Sequence, residues 1–373
     1  MSAHAPAARL PRWMEYGLLP VLNLVLALLV SGLVVVVIGQ DPFEALGVLL
    51  KGAFGSIENI GYTLYYATDI IFTGLAVAVA FQAGLFNIGG EGQAYIAGLG
   101  VGLVCLYLDF LPMPVIIALA VIASMVFGAA WAAIPAWLQA HRGSHIVITT
   151  IMFNFIAYSV MVYLLVHPLI EPGQMAPQSR AFAANAIMPS IKGVAAVVGL
   201  DLGAAPLNLS FVWALIAAAG TWLFIGHTSP GYAIRVVGAN PEAAVCAGIR
   251  PERAIMLAML LSGALAGGLA LNEVMGVQQR IMVGFTAGYG FTGIAAALMG
   301  RNHPVGIILA ALLFGALYQG GAELSFDIPD ISAEMVVVIQ GFVIIFTGAL
   351  ENMLRPTLAR LAARLEGGRA QTA

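Results

Sequence analysis

The sequence predicts an all-α polytopic membrane protein of about ten transmembrane helices, built as one membrane domain. Three observations predict it. Hydrophobic residues make up 61% of the 373-residue chain and charged residues only 9%, where a soluble domain carries about 25% charged residues. Mean hydropathy is +0.96. The apolar residues gather into stretches long enough to cross a bilayer, separated by short polar segments.

The stretches fall near 17–38, 62–82, 90–108, 114–138, 145–166, 209–226, 254–276, 290–300, 304–320 and 333–350. The first follows MSAHAPAARLPRWMEYG with no small-residue cleavage site, so it reads as a span rather than a signal peptide. After it, DPFEALGVLLKGAFGS puts Phe43, Leu46, Leu49 and Leu50 on one helical face. That pattern predicts an amphipathic helix lying on the membrane surface. Residues 167–208 hold Pro168, Pro172, Pro177, Pro189 and Pro206 and read as an external loop, either plain or receiving a soluble partner. The eighth stretch, 290–300, is short and glycine-rich, which predicts a broken or re-entrant element. The tail after Arg355 reads as a basic helix against lipid at the inner surface.

The basic residues set the orientation. With the N-terminus inside, the inside segments carry Arg9, Arg12, Arg142, Arg235, Arg250, Arg253, Arg301, Arg355, Arg360, Arg364 and Arg369. The outside segments carry only Lys51, Arg180, Lys192 and Arg280. Asp41, Glu44, Glu58, Asp109, Asp327 and Asp330 collect outside. The positive-inside rule therefore places both termini, and the 227–253 loop, in the cytosol.

Within that loop, GANPEAAVCAGIRPER (238–253) is a polar island between two spans. Asn240 suits an N-cap, Pro241 the first helical position, and Glu242 the positive helix end. Gly248 can end the helix. A short helix offered to the cytosol by a membrane protein is a handle for another protein.

Some chemistry is absent. A P-loop needs Lys followed by Ser or Thr, but Lys51 and Lys192 are each followed by Gly. There is no HExxH and no GxSxG. GYGFTG (288–293) matches the dinucleotide fingerprint without a βαβ unit around it. Cys105 and Cys246 lie on different elements and read as incidental thiols, not as a disulfide or metal pair. Asn208-Leu209-Ser210 fits a glycosylation sequon, a pattern common by chance. No catalytic residue, metal, bound cofactor or nucleic-acid partner is expected.

The pathway candidates are polar groups at membrane depth. GLFNIGGEGQAY (84–95) places Asn87, Glu91 and Gln93 among four glycines. Glycines at that density let a helix unwind, and freed backbone is tolerated in a membrane only inside protein or along a watery cavity. Glu91 reads either as part of the pathway or gate, or as the cap of the third span in a tight cytoplasmic turn. VGFTAGYGFTGIAAALMGR (283–301) is a second glycine-rich interruption, and one interruption per half is a habit of internally repeated transporters. Asp69, Asn154, Asn272 and Glu273 lie inside spans. Such groups mark a solute path or tie helices together. For Asp69 and Glu273 a position at the outer span ends is a further alternative.

Taken together, TGLAVAVAFQAGLFNIGGEGQ (73–93), IVITTIMFNFIAY (146–158), RVVGANPEAAVCAGI (235–249), LSGALAGGLA (261–270) and GYGFTGIAAALMGRNHPVGIILAALLFGAL (288–317) resemble permease subunits of bacterial ABC importers for simple sugars and nucleosides. This is the branched-chain amino acid/ribose-type permease superfamily, and the chain looks most like the longer of two permeases of nucleoside importers. The resemblance implies a type II importer fold of ten spans in the bacterial inner membrane, with a coupling helix between spans six and seven. It assigns ATPase coupling to Arg235, Asn240, Glu242, Ala243, Ala244, Gly248 and Arg250, the 242–248 stretch resembling the family's EAA loop. The partners it implies are an ABC ATPase that uses ATP and Mg, a second related permease, and a periplasmic or lipid-anchored solute-binding protein. Asp69 departs from the family pattern, which often has proline there.

The function expected is a non-catalytic permease moving a small neutral polar solute, a nucleoside first, by alternating access. A ribose-like sugar is the alternative solute. An ion-coupled secondary transporter is the rival class, and its intramembrane carboxylates would bind protons or sodium. The 238–253 helix argues against that class, because such a carrier needs no docking handle.

Overall fold

A computed structural model describes residues 14, 18–197, 199, 201–332, 334–343 and 345. The readings for Arg9, Arg12 and the tail after Arg355 lie outside the described residues. Among those described, the structure is helical, with two isolated β-bridges and no strand. The chain forms two compact units, residues 53–319 and a second made of residues up to 52 and from 320.

The 53–319 unit is organised around α3 (Ile57–Gln82). Ser56 starts it by accepting from the Asn59 N–H at 3.0 Å, and Glu58 complements its positive end. In its most apolar window 83% of the residues are buried inside the protein. The corresponding shares are 28% for α5 (Met113–Arg142), 22% for α6 (Ile146–Val166) and 17% for α8 (Ser210–His227). The apolar surface of those three must therefore face lipid, whereas α3 is a central post. The 251–278 span is also central. It runs as α11 (Pro251–Ala266), a short turn α12 (Gly268–Ala270) and a π-helical stretch Leu271–Gln278. A π-helical stretch widens the ladder and is often found at functional sites.

Close packing of α5 on α11 follows from small residues. A Cβ on Gly263 would collide with the Gly128 carbonyl, and one on Gly267 with the Ser124 carbonyl. Ser124-xxx-Gly128 and Gly263-xxx-Gly267 thus form two facing small-residue stripes. Lipid supplies no hydrophobic drive between helices, so such stripes let backbone contact hold them.

Between the spans of this unit lie α4 (Gly90–Tyr107), α7 (Lys192–Val197), α9 (Ser229–Ala239), α10 (Pro241–Cys246) and α13 (Tyr289–Met299). At 11 residues α13 is about 17 Å long, roughly half the hydrocarbon thickness. It is a half-helix, as the short, glycine-rich eighth stretch predicts. The 167–208 segment folds over the end of the unit opposite α9 and α10. Arg180 pairs with Asp109 at 2.9 Å, and Asn185 donates to the Asp109 and Leu111 carbonyls. Glu58 accepts from Ala204 N–H at 2.7 Å, and Gln178 bridges to Met282.

The second unit contains α1 (Leu19–Ile38), most of α2 (Pro42–Phe54), the last turns of α14 (Pro304–Asp327) and α15 (Glu334–Val343). The α1 and α2 axes bend by 118°. Here the sequence expectation is corrected. Phe43 and Leu50 are exposed, Leu46 is half-buried and Leu49 is buried, so the apolar face is partly packed against protein and does not lie wholly open to a membrane surface. Ala45 packs with Val35, Leu324 and Ile339, and Leu49 sits against Gly320. Leu49 is about 100° from Leu50 around the helix. Ala45, Leu49 and Gly52 together define the packed face.

Among the described residues, six helices are long and apolar enough to cross a membrane, and the bent α1–α2 pair adds a seventh if it counts as one span. The chain is a multi-pass membrane protein.

Candidate functional site

Two sets of residues stand out, one at each level of the 53–319 unit. The first is the α9–α10 elbow. Thr228 caps α9, accepting from Gly231 N–H at 3.1 Å. Asn240 then caps α10, accepting from Glu242 and Ala243 N–H at 2.9 and 3.1 Å. The far end closes as a Schellman motif. Ile249 N–H donates to the Ala244 carbonyl and Gly248 N–H to the Val245 carbonyl, both at 2.9 Å, with Gly248 at φ +77°. Ala244 and Ile249 make the accompanying apolar contact by entering one cluster with Ala80, Ile146, Ile234, Val237 and Ala258. Ala244 is thereby the anchor. Arg235, Asn240, Glu242, Ala243, Gly248 and Arg250 are all exposed. Arg235 also lines a cleft with Gln82, Trp222 and His303. This is a rigid, exposed handle on a buried root.

The second set is the intramembrane polar network, which the structure brings together in two clusters. Asp69 lies mid-way along α3, fully buried, and its Oδ2 accepts from the Asn272 amide at 2.9 Å. Asn272 Oδ1 accepts from Asn208 Nδ2 at 2.8 Å. Next door, Glu273 accepts the hydroxyl proton of Tyr65 and is buried. Asp69 and Glu273 are therefore both buried inside the bundle, Asp69 mid-way along its span and Glu273 in the last turns of its own. Asn208 is buried and its Oδ1 caps Ser210 N–H at 2.9 Å, which leaves no room for a glycan on the sequon.

The other cluster joins the two glycine-rich interruptions. Glu91, in the first turn of α4, does not cap its own helix. Its carboxylate reaches α13, accepting from Thr286 Oγ1 at 2.5 Å, Gly288 N–H at 3.1 Å and Gly290 N–H at 2.9 Å. The half-helix α13 starts at Tyr289, so Glu91 satisfies amides that its N-terminus leaves open. A Cβ on Gly290 would strike Glu91 itself, so glycine is what lets the two ends meet. Asn154 clamps the same turn from α6, accepting from Gly92 N–H at 2.9 Å and donating to the Ile88 carbonyl at 3.0 Å. Asn87 donates to Ser262 at 2.8 Å and to Gln93 at 3.1 Å. Ser262 in turn donates to the Ala76 carbonyl at 2.6 Å. Asn87, Gln93 and Asn154 thus link this turn to α6 and α11 by hydrogen bonds.

Sequence reasoning missed the tyrosines. Tyr65, Tyr66, Tyr289 and Tyr318 form a connected ring cluster, with neighbouring centroids 4.8–6.4 Å apart. The signal was the Tyr65-Tyr66 doublet inside a span, read as apolar bulk because it carries no formal charge. No group of three His, Cys, Asp or Glu residues placed to hold a metal occurs among the described residues. What the arrangement holds is hydrogen-bonding groups and ring faces.

The family described as branched-chain amino acid transport system, permease component, matches residues 59–348. The chain belongs to this family. The permease is 36% identical to a glucose ABC transporter permease protein of Haloferax volcanii, over 91% of this chain and 89% of that one. It is 33% identical to a guanosine ABC transporter permease protein of Bacillus subtilis, over 90% and 94% of the two chains. A nucleoside ABC transporter permease protein of Lactococcus lactis is also 33% identical, over 88% and 90%. The permease is therefore the membrane subunit of an ABC transporter, a class whose subunits work with an ATPase and a solute-binding protein.

Proposed function

We propose that the permease imports nucleosides by alternating access, driven by a separate ATPase. The observation that carries this reading is full-length similarity to two permeases of nucleoside systems, over about nine-tenths of every chain. A buried polar network without basic residues supports it. Asp69, Asn208, Asn272, Glu273 and Tyr65 present acceptors, amides and a hydroxyl to one another. No Lys or Arg belongs to this network to favour a phosphate or carboxylate. Glucose is the second reading, favoured by the 36% identity to a glucose permease.

The finer architecture belongs to the same proposal. α4, α13 and α15 join the longer spans to make ten crossings, α13 doing so as a half-helix. Both termini and the 227–253 coupling loop face the cytosol, and the 167–208 segment faces outward, in the bacterial inner membrane. The exposed α10 handle docks on the ATPase, which alone holds ATP and Mg; this chain binds no cofactor. A second, related permease completes the pathway, and a periplasmic or lipid-anchored protein delivers solute to it.

Reconstitution tests the reading. The permease is combined in proteoliposomes with its ATPase, its binding protein and the second permease. ATP-dependent uptake of labelled guanosine, glucose and guanosine monophosphate is then compared. Guanosine uptake is the expected outcome. Nucleotide uptake above guanosine overturns the neutral pathway, glucose uptake alone replaces the solute, and full activity without the second permease overturns the heterodimer.

A further inference from the structure

We propose that Tyr66 and Tyr318, backed by the buried ring of Tyr289, form a stacking platform for the planar base of the solute. The proposal rests on the nucleoside reading above and specifies where that solute is recognised. Three elements, α3, α13 and α14, each deliver one ring to the same place. Tyr66 and Tyr318 lie nearly parallel, 24° apart with centroids at 5.6 Å. Tyr289 meets Tyr318 edge-on, at 70° and 5.5 Å. Thr292 holds the Tyr318 hydroxyl at 3.1 Å, fixing that ring.

The two members of the Tyr65-Tyr66 doublet differ in a way that separates support from platform. Tyr65 is buried, with its hydroxyl committed to Glu273. Tyr66 and Tyr318 are only half-buried, so part of each ring remains open. A bundle that needed only filling would use Leu or Phe, because a phenol hydroxyl in an apolar interior needs a partner or water. Half-exposed stacked rings instead offer a π face that any base can extend, whatever its hydrogen-bonding edge. One buried carboxylate beside them, Asp69, meets the Glu273 carboxyl and leaves its Oδ1 with no N–H donor. It is available to the N–H donors of a base edge when the helices move. A sugar without a base has no such flat face to place.

The test uses the complete reconstituted importer and compares guanosine with glucose uptake in Tyr66→Leu, Tyr318→Leu, Tyr66→Trp and the parent protein. Leucine keeps apolar bulk and removes the π face; tryptophan keeps and enlarges it. Loss of one stacking ring is expected to lower the guanosine uptake rate at subsaturating solute about tenfold, from the usual size of base–aromatic contacts. Tyr66→Trp is expected to stay near the parent rate. Parent-level guanosine uptake in both leucine variants overturns the platform, and so does an equal loss in Tyr66→Leu and Tyr66→Trp. A parent importer that moves glucose and not guanosine overturns the nucleoside reading instead, a result visible before any variant is measured.

Discussion

Glu91 shows how one side chain can hold a broken element at membrane depth. Its carboxylate accepts from one hydroxyl and two backbone amides of α13. A carboxylate at the bilayer centre costs about 2.5–3.5 kcal/mol on insertion scales. Hydrogen bonds to charged groups recover about 1.5–3 kcal/mol each, so three of them offset that cost. Glu91→Ala leaves the Gly288 and Gly290 amides unpaired. Each orphaned buried donor costs about 1–3 kcal/mol, so a loss of several kcal/mol is expected. Glu91→Gln keeps the shape and one acceptor oxygen, and should lose about half as much. Thermal unfolding of the detergent-purified protein checks the order parent, Gln, Ala. An alanine variant as stable as the parent would remove Glu91 as the tie between α4 and α13.

The same residue marks where sequence reading stops. The glycine-rich breaks at 84–95 and 283–301 were legible separately, because glycine and charge inside apolar runs are local signals. Their meeting was not, since nothing local pairs Glu91 with Gly290, 199 positions away. Asn272 was visible as a polar residue in a span, whereas Asn208 was hidden inside a sequon and Tyr66 inside apolar bulk. The α10 cap, in contrast, was fully legible, because Asn240, Pro241 and Gly248 act through the backbone next to them.

At the scale of elements, the α5–α11 crossing and the open face of α8 give predictions of opposite sign. Gly263→Ala places a methyl against the Gly128 carbonyl and Ala132 Cβ, and must push the helices apart. Overpacking of this kind costs about 1–3 kcal/mol. Gly220, in α8, has open space where a Cβ would stand. Gly220→Ala should therefore be neutral or stabilising by up to about 1 kcal/mol, as expected from helix propensity. Unfolding midpoints of the two single variants, measured in one detergent, test the contrast; a shift of the same sign in both would contradict the packing account.

For α10 the division between root and handle is sharper. Ala244→Asp forces an unpaired carboxylate into the cluster around Ile234 and Ala258 and should release the helix from the bundle. Ala243→Asp and Glu242→Lys lie on the exposed side, so they should change the unfolding midpoint little. Both should nonetheless weaken co-purification of the ATPase, and Glu242→Lys also sets a positive charge against the positive helix end. Normal ATPase recovery with both exposed variants would mean that docking happens elsewhere.

At the scale of the whole molecule, charge asymmetry and chain path converge on one sidedness. α8 separates the 167–208 segment from the α9–α10 elbow, so these two lie at opposite ends of a span. The outer segments hold four of the fifteen basic residues, and the elbow region alone holds Arg235, Arg250 and Arg253. The positive-inside rule then predicts the elbow on the cytosolic side, as the proposed topology requires. The two cysteines report on this directly. Cys246 is exposed at the end of α10, and Cys105 is fully buried in α4, so the chain carries a probe and its own control. A membrane-impermeant maleimide should label Cys246 in inside-out vesicles and leave it untouched in sealed cells, while Cys105 reacts only after denaturation. On the proposed docking, bound ATPase should protect Cys246 from the reagent. Labelling of Cys246 from outside sealed cells would invert the molecule. It would move the Arg235 cleft and the α10 handle to the side where no ATPase works, and the docking assignment would fall with the topology.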